Sequence, residues 1–377
     1  MKIGIVAGEK SGDYLGAELI KAIKCDCPEA QFVGLCGPLM QEQGAKTLAN
    51  MDDITVFGLD GLFAKLFGIL KIRRRLLKHF IADRPDVFVG IDVPDFNLAL
   101  ERQLKNQGIP IVHYVSPTVW AWRGGRIKKI RRSINLMLAL FPFEENYYQK
   151  HHTPVNYVGH PLARQISNWQ VDQGFRASLT KTDETLIAIL PGSRMSEVTR
   201  LAPLMISAAY QLKQSRPELR FVIPVANDKI KDYLLQQTDL DQSIIKLVDG
   251  RSRDVLCVAD LAVLASGTAA LEASLFALPM VVMYKISWLT KLIFARTLTT
   301  QYFSMPNHLT DPPAVPELIQ ENATAENLVV EVQRLLDNPQ AYATMRAALA
   351  EITPLLDRDS GRLASQAIMR LIAKHSK

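Results

Sequence analysis

Short apolar runs that alternate with longer amphipathic segments strongly constrain the fold of this 377-residue chain. Glycine, proline or aspartate bounds most of the runs, which is typical of buried parallel strands. This alternation predicts an α/β protein, with doubly wound parallel sheets covered by helices on both faces. The expected strands are Ile3–Ala7, Phe32–Leu35, Val87–Ile91, Ile111–Val115, Leu136–Ala139, Asn156–Val158, Leu186–Leu190, Arg220–Pro224, Ile244–Val248, Leu261–Leu264 and Met280–Met283.

The chain is long for one hydrophobic core and comfortable for two domains. A polar stretch from Ala163 to Glu184 has no strong period and separates the two series of strands, with Gly159-His160-Pro161 as the expected hinge. We expect one domain over residues 1–163 and a second over 164–345. A helical ending over 346–377 follows, and whether it packs back on the first domain is open.

Composition narrows the class of protein. Hydrophobic residues make up 48% and charged residues 22%, which is globular rather than disordered. The formal charge of +6 favours anionic partners such as phosphates, nucleic acid or an acidic lipid surface. No apolar stretch reaches the ~18 residues of a membrane span, and the first apolar run is too short for a secretion signal. We therefore expect a cytoplasmic protein that lies on a membrane if it meets one.

The cysteines and histidines show no spacing typical of a zinc site, so we expect reduced thiols in a cytosolic protein. The four cysteines are Cys25, Cys27, Cys36 and Cys257.

A glycine-rich turn follows the first expected strand and opens a helix. Glu9, Ser11 and Gly12 lie in this turn, which runs from Gly8 to Asp13. Glycine lets the backbone approach a ligand, and the free N–H groups of a helix N-terminus favour an anion. The turn is neither a dinucleotide fingerprint nor a P-loop. It is equally well read as a tight turn with Asp13 in the first helical turn.

Asp92 follows the strand Val87–Ile91, in the segment Gly90-Ile91-Asp92-Val93-Pro94-Asp95-Phe96. Ligands of open α/β sheets bind at the carboxyl ends of strands. Asp95 is expected to be the N-cap of the next helix. Asp92 is then a candidate general base for an acceptor hydroxyl. The alternative is a surface carboxylate bonded to a neighbouring loop.

The first strand of the second half ends in a phosphate-like loop, Leu190-Pro191-Gly192-Ser193-Arg194. Ser193 supplies a hydroxyl, and Arg194 can hold phosphate oxygens through two parallel hydrogen bonds. A turn with a solvated arginine is the alternative, and the position between strand and helix favours phosphate.

A second such turn follows the strand Leu261–Leu264. Ser266, Gly267 and Thr268 open a helix whose N–H groups would face a diphosphate, and Glu272 would accept hydrogen bonds from a ribose. The alternative is an N-capped core helix with one charged residue. Because this turn and Arg194 belong to the same expected sheet, we favour a nucleotide site.

An apolar and basic segment predicts contact with an anionic membrane surface. Its residues are Leu62, Phe63, Leu66, Phe67 and Leu70, followed by Arg73 and Arg74. A second basic cluster, over residues 123–132, lies beside Trp120 and Trp122. A core helix with a solvated basic edge is the alternative. Nucleic acid is not expected, because no known nucleic-acid-binding motif is present and the two tryptophans share one loop.

Eight segments, in one order along nearly the whole chain, resemble a known family, the lipid-A-disaccharide synthases. They are VAGEKSGD (6–13), FVGLCGP (32–38), PDVFVGIDVPDFN (85–97), HYVSPTVWAWR (113–123), YVGHPL (157–162), ILPGSR (189–194), LASGTAALE (264–272) and PMVVMY (279–284).

The resemblance implies a GT-B fold, with two Rossmann-like domains facing across a cleft. It implies an inverting hexosyltransferase of lipid A and lipopolysaccharide biosynthesis. UDP-2,3-diacylglucosamine and 2,3-diacylglucosamine 1-phosphate would give the β-1,6-linked disaccharide 1-phosphate and UDP. The resemblance implies no cofactor, since the UDP-sugar is a substrate, and the family needs no metal. The implied location is the inner face of the cytoplasmic membrane, and a homodimer is left open.

The resemblance also implies roles for single residues. Asp92 matches the proposed base, and Arg194 with the Ser266–Thr268 turn matches the UDP site. Asn307 matches a loop near the donor, although this chain reads SMPNHLTDPP where the family usually reads S-L-P-N-L-L-A-G. The Gly8–Asp13 turn is a candidate site for the acceptor.

Two other classes of function stay open from the sequence. A soluble UDP-sugar 2-epimerase would share the donor site but would have no use for the apolar segment 62–70. A non-catalytic, nucleotide-regulated membrane-surface protein would not need Asp92.

Overall fold

The computed structural model describes residues 1–54, 62–122, 124–237, 240–286 and 300–375, which form two compact units. The first unit runs from Met1 to Pro161 and resumes at Leu356. The second unit lies between, from Leu162 to Leu355. Among the described residues, the chain therefore passes from one unit to the other twice.

The first unit is built on a parallel sheet of seven described strands in the order β3-β2-β1-β4-β5-β6-β7. The chain leaves β1 toward one edge and starts again at β4 toward the other, so the topological switch point lies between β1 and β4. The strands are β1 (Lys2–Ala7), β2 (Gln31–Leu35), β3 (Lys46–Thr47), β4 (Val87–Ile91), β5 (Ile111–Tyr114), β6 (Leu136–Ala139) and β7 (Val155–Tyr157).

Helices cover both faces of this sheet, because right-handed crossovers that run in opposite directions from the switch point place their helices on opposite faces. The helices are α1 (Lys10–Asp26), α2 (Pro38–Glu42), α3 (Leu62–Ala82), α4 (Pro94–Asn106), α5 (Ile127–Ser133) and α6 (Pro142–Lys150), with short 3₁₀ turns at Met51–Ile54 and Gly124–Arg126. Helices α3, α4 and α5 share one core cluster and lie side by side.

Aromatic packing against a glycine joins α3 to the sheet. The rings of Phe80 and Phe88 meet edge to face, with centroids 5.4 Å apart. A Cβ at Gly4 would lie 3.0 Å from both rings, so β1 needs glycine at this point. Burying each phenylalanine contributes about 1.5–3 kcal/mol.

The second unit contains a parallel sheet of six described strands in the order β10-β9-β8-β11-β12-β13, with its switch point between β8 and β11. The strands are β8 (Thr185–Leu190), β9 (Leu219–Val225), β10 (Ile245–Asp249), β11 (Leu261–Ala265), β12 (Met280–Tyr284) and β13 (Glu317–Ile319). The helices are α7 (Pro161–Ser167), α8 (Phe175–Leu179), α9 (Met195–Ser215), α10 (Asp228–Gln237), α11 (Ser252–Val258), α12 (Thr268–Leu275), α13 (Met305–Leu309), α14 (Ala325–Asp337), α15 (Pro339–Ala350) and α16 (Ile352–Leu356).

The last described helix, α17 (Ser360–His375), belongs to the first unit and packs along α1. A Cβ at Gly361 would lie 3.0 Å from the carbonyl oxygen of Glu18, so glycine lets the two helices approach closely. The hydroxyl of Tyr114, at the end of β5, is hydrogen-bonded to Ser360. The helical ending is thus attached to both α1 and the sheet of the first unit.

The fold class is confirmed: both units are doubly wound parallel α/β sheets, and every predicted strand is present within two residues of its predicted bounds. The edge strands β3 and β13 were missed. The stretch 163–184, predicted to be an irregular linker, contains α8 and most of α7.

Candidate active site

Asp92 lies at the carboxyl end of β4, in a strained turn. Asp92 and Val93 have φ angles of 53° and 42°, in the left-handed region that costs a non-glycine residue about 1–3 kcal/mol. The side-chain amide of Asn97 donates to the carbonyl oxygens of Ile91 and Asp92, at 3.3 and 2.8 Å. The N–H of Asp92 donates to Tyr114 at 2.8 Å. These bonds hold a half-buried carboxylate at the ligand-binding edge of the sheet.

The prediction that Asp95 caps the following helix is wrong. Helix α4 begins at Pro94, the N-cap position is Val93, and Asp95 lies in the first turn. The left-handed turn starts the helix two residues earlier than the sequence pattern indicates. The exposed carboxylate of Asp95 instead pairs with Arg126.

A buried polar cluster lies directly beneath this turn. Glu101 and His113 are fully buried and paired, with 2.6 Å between a carboxylate oxygen and Nδ1. Burial raises the pKa of Glu101, and His113 partly offsets this. A Cβ at Gly90 would lie 2.1 Å from Glu101 Oε1 and 3.1 Å from the amide carbon of Asn97. Glu101 Oε1 and the amide carbon of Asn97 both lie beside this one Cβ position, so they are at most about 5 Å apart. The buried pair therefore packs close to the amide that holds Asp92.

The Gly8–Asp13 turn reaches the same edge of the sheet. Helix α1 begins at Lys10 with Glu9 as N-cap. A Cβ at Gly12 would lie 3.4 Å from a methyl of Ile91, the residue before Asp92. The first turn of α1 is therefore packed against the end of β4, at the switch point of the first unit. Gly12 is buried, which gives it a packing role, whereas Glu9 and Ser11 are exposed.

Asp13 has a structural role. Its buried carboxylate accepts hydrogen bonds from the backbone N–H groups of Leu39 and Met40, at 2.9 and 3.1 Å. These bonds satisfy the free N–H groups at the start of α2. Asp13 thus ties α2 to α1, while the side chains on the outer face of the turn stay accessible.

A buried carboxyl group also lies at this edge, after β6, two strands along the sheet from Asp92. Glu144, on α6, accepts hydrogen bonds from the backbone of Leu140 and Phe141 and from the indole of Trp120. Burial raises its pKa to about 7, and the hydrogen bonds offset part of this shift. A carboxyl group that titrates near neutrality is uncommon and clusters at functional sites. Sequence reasoning did not single out this residue.

In the second unit, a cavity of about 370 Å³ opens between the carboxyl ends of β8 and β11, at the switch point of the sheet. Two loops that are far apart in the sequence, the one after β8 and the one after β11, meet there. Six of the seven residues predicted to bind the donor line it: Ser193, Arg194, Ser266, Gly267, Thr268 and Glu272.

Glu197 holds the loop that carries Arg194. It accepts a hydrogen bond from the N–H of Ser193 at 3.3 Å and pairs with Arg194 at 3.1 Å. The arginine side chain is 79% exposed, and exposed ion pairs contribute at most about 1 kcal/mol. Arg194 can therefore exchange this partner for a phosphate at small cost. Glu197 was missed, although its spacing of three residues from Arg194 on a helix start was a usable signal.

Glu272 is fixed by a second ion pair. Its carboxylate accepts a hydrogen bond from Arg253 Nε at 2.9 Å, and the side chain is 13% exposed. Arg253 also donates to Gln165 at 3.2 Å and lies 5.3 Å from the centroid of the Trp169 ring. These contacts orient the carboxylate at the wall of the cavity.

Asn307 does not line this cavity. It is buried, its amide nitrogen donates to Val315 and Glu317 at 2.8 Å, and its amide oxygen accepts from Val315 at 2.9 Å. Glu317 also accepts from the backbone of Phe303 and Ser304. Asn307 thus organises a loop whose Phe303 carbonyl receives the hydroxyl of Ser266, at 2.6 Å. Its contact with the donor stays a prediction.

The structure describes part of the predicted membrane segment. Phe67 is 73% exposed, Leu70 and Arg73 are half-buried, and Arg74 is exposed. The side chains of Leu62, Phe63 and Leu66 lie outside the described residues. No helix in the described part of the chain is both long and apolar enough to cross a bilayer.

The sequence analysis predicts no metal site. Across residues 1–54, 62–122, 124–237, 240–286 and 300–375, no three His, Cys, Asp or Glu side chains are grouped as a metal site would need. That the reaction requires neither metal nor cofactor stays a prediction.

Comparison with protein families decides which family this is. The family model of lipid-A-disaccharide synthetase matches residues 3–370. The chain belongs to this family. The lipid-A-disaccharide synthase of Alkalilimnicola ehrlichii is 43% identical over 377 residues, covering 98% of each chain. The resemblance seen in the eight sequence segments is therefore confirmed, and the family is one of glycosyltransferases.

Solved structures of other proteins share the fold of this chain. A putative UDP-N-acetylglucosamine 2-epimerase from Listeria monocytogenes matches with a TM-score of 0.66 and 14% identity, over 100% of this chain and 96% of that one. The glycotransferase of kitacinnamycin matches with a TM-score of 0.59 and 14% identity, over 98% of each chain. The GT-B fold is thereby confirmed. At these identities the epimerase likeness concerns the fold alone.

Proposed function

We propose that this lipid-A-disaccharide synthase family member joins UDP-2,3-diacylglucosamine to 2,3-diacylglucosamine 1-phosphate. The products are the β-1,6-linked disaccharide 1-phosphate and UDP. One observation supports this proposal above the others: in a chain of this family, six of the seven predicted donor residues line one cavity at the switch point of the second sheet. Dinucleotide and nucleotide ligands of doubly wound sheets bind at such points.

The cavity has the chemistry to stabilise UDP as a leaving group. The first N–H groups of α12 and the hydroxyl of Thr268 can donate hydrogen bonds to a diphosphate. A helix N-terminus also carries a partial positive charge, which attracts an anion. Arg194 adds a mobile guanidinium, and Glu272 accepts hydrogen bonds from ribose hydroxyls. Fixed donors of this kind act most strongly on the charge that develops as the sugar–phosphate bond breaks.

Asp92 is the base in this proposal. It removes the proton from the 6-hydroxyl of the acceptor, and the oxygen attacks C1 of the donor sugar from the face opposite UDP, which inverts that centre. The strained turn supports the role, since strain of this kind persists where it serves function. Glu9 and Ser11, on the exposed side of the neighbouring turn, contact the acceptor in this proposal.

An apolar cavity beside the Gly8–Asp13 turn suits an acyl chain of the acceptor. Its volume is about 860 Å³, and Lys10 stands in its wall, where it can meet a phosphate. The apolar lining includes Cys36, Leu39, Leu48, Ala49 and Met51.

The first unit lies against an anionic membrane surface in this proposal. Helices α3 and α5 lie on one face of the sheet, and neither contains an aspartate or glutamate. The exposed cations among the described side chains of these helices are Lys71, Arg74, Arg75, Lys78, Lys128, Lys129, Arg131 and Arg132. With the exposed ring of Phe67 beside them, these helices can bind anionic headgroups and bury apolar surface together. Such contact would give the enzyme access to both lipid substrates.

Mass spectrometry tests the reaction. Purified protein is incubated with both lipid sugars, and we expect the disaccharide 1-phosphate and UDP in equal amounts. Incubation with a water-soluble UDP-N-acetylglucosamine alone is the control for an epimerase. Epimerised sugar without any disaccharide would overturn the proposal.

Vesicle sedimentation tests membrane contact. Each cation near an anionic surface contributes roughly 1 kcal/mol, so replacing Lys71, Arg74 and Arg75 by serine should weaken binding to anionic vesicles about a hundredfold at low salt. The matched control replaces Arg362, Arg370 and Lys374, exposed cations of α17 on the other face of the sheet. Equal losses in the two variants would show a non-specific effect of net charge.

A further inference from the structure

The loop after β5, from Val115 to Trp122, contains most of the distinctive segment HYVSPTVWAWR. Together with the turn Gly124–Arg126, it is attached on both sides of Asp92. It starts beside Asp92, because Ile91 pairs with Tyr114 in the β4–β5 register. It returns to the helix after Asp92, where Arg126 pairs with Asp95. At its start, Val115 has a φ of 80°, a strained angle for a β-branched residue. The loop therefore frames the carboxylate that the reaction uses.

One face of α6 holds this loop at three points. Glu144 accepts from the indole N–H of Trp120 at 3.1 Å, and Tyr147 donates to the carbonyl of Val119 at 3.1 Å. The hydroxyl of Tyr148 is 2.9 Å from that of Ser116. Side chains three and four residues apart share a helix face, so the three bonds act as one clamp, which we call the α6 clamp.

The clamp fixes a half-buried aromatic surface. The ring of Trp120 meets Phe143 edge to face, at 4.8 Å between centroids, and the indole N–H of Trp122 donates to Thr118 at 2.8 Å. Each indole thus has its polar edge bound within the protein, while the side chain stays half-buried. A core tryptophan would be covered more fully, and a merely solvated one would not need a buried carboxyl group, that of Glu144, as its partner.

We propose that the loop Ser116–Trp122 is the subsite for the glucosamine ring of the acceptor, and that Glu144 is the positioning residue that sets Trp120 against this ring. The inference rests on the proposed function. A pyranose ring has an apolar C–H face and a polar rim, which match an indole whose polar edge is already bound. Holding the ring there would present its 6-hydroxyl to Asp92, and such orientation is a large part of catalysis.

Kinetics with each substrate varied in turn tests the subsite. In Glu144→Gln, one amide group cannot accept from both the backbone N–H groups and the indole, so Trp120 loses its fixed partner. In Trp120→Phe the indole N–H, which donates the hydrogen bond, and one of the two fused rings are lost. We expect each change to raise KM for the acceptor about ten- to hundredfold. The free energy of a hydrogen bond to a charged group corresponds to a change in affinity of that size. KM for the UDP-sugar should stay within about twofold, because all the predicted donor residues lie in the second unit.

The double variant separates positioning from general structure. If Glu144 acts through Trp120, Glu144→Gln should add little in the Trp120→Phe background. Trp169→Phe is the matched control, because it removes the same kind of indole–carboxylate bond, to Asp254 at 2.9 Å, in the second unit. It should leave KM for the acceptor unchanged. Thermal unfolding and UDP binding show whether each variant is folded, and Trp120→Phe leaves the backbone bonds of Glu144 intact.

Three outcomes would overturn the inference. These are an unchanged acceptor KM in Trp120→Phe, equal effects on both substrates, or an effect that vanishes with short-chain acceptors, which would mean contact with acyl chains. Absence of disaccharide formation by the unmodified protein would instead refute the proposed function itself.

Discussion

The pair of Glu101 and His113 should contribute more to the stability of the first unit than any exposed ion pair. Both side chains are fully buried, 2.6 Å apart, and packed under Gly90. The test compares Glu101→Met with Glu101→Gln. Methionine fills similar space without an acceptor, whereas the amide oxygen of glutamine can still accept from Nδ1 of His113.

The structure sets the expected magnitudes. The second oxygen of Glu101 and Nε2 of His113 have no hydrogen-bond partner within the described residues, so each side chain depends on the one bond between them. Removing one partner of a buried pair costs about 3–5 kcal/mol, since the other is left buried and unpaired. Replacing a carboxylate by an amide that keeps the bond should cost about 1 kcal/mol.

Native-state hydrogen exchange measures these costs locally. Amides of β4 and β5 should open more easily by about 3–5 kcal/mol in Glu101→Met and by about 1 kcal/mol in Glu101→Gln. Amides of β8 and β11, in the other unit, serve as an internal reference. If methionine and glutamine destabilise β4 and β5 equally, or if neither exceeds about 1 kcal/mol, the bond between Glu101 and His113 does not stabilise this region.

Three further predictions follow from the two sites. Asparagine tolerates a left-handed turn, so Asp92→Asn should lower turnover by about 10²–10⁴ without loss of UDP binding, as measured by calorimetry. Near-normal turnover would exclude Asp92 as the base. Arg194→Ala should lower turnover by about 10²–10³ with the fold unchanged by circular dichroism, whereas Glu197→Gln, which frees Arg194 from its ion pair, should not reproduce that loss. Because the pKa of Glu144 is raised from 4.5 to about 7, the unfolded chain releases this proton first as pH rises. The first unit should therefore lose about 3 kcal/mol of stability between pH 4.5 and 7, and urea titrations of Glu144→Gln should lack this component. Parallel pH curves for the two proteins would contradict the assignment.

The central strands could be predicted because burial on both faces leaves continuous apolar runs in the sequence. The edge strands β3 and β13 could not, since two or three residues carry no readable period. Their strand pairing depends on neighbours that the local sequence does not contain.

The donor cavity was predictable because each of its loops follows an apolar strand, and parallel strands bring their carboxyl ends to one edge. The groups that orient those residues were harder to find. Arg253 reaches Glu272 across 19 residues of sequence, and no local pattern connects them. Asn307 shows the opposite difficulty. It matches the motif of the family by position, but its side chain forms hydrogen bonds inside its own loop.

Helix α17 closes the first unit although it is translated after the whole second unit. During synthesis, the flank of α1 beside Gly361 stays uncovered until more than half of the chain has followed it. A fragment that stops near Pro161 would keep its sheet but would expose that flank. The order of assembly on the ribosome should therefore differ from the order of the sequence, with the second unit able to finish first.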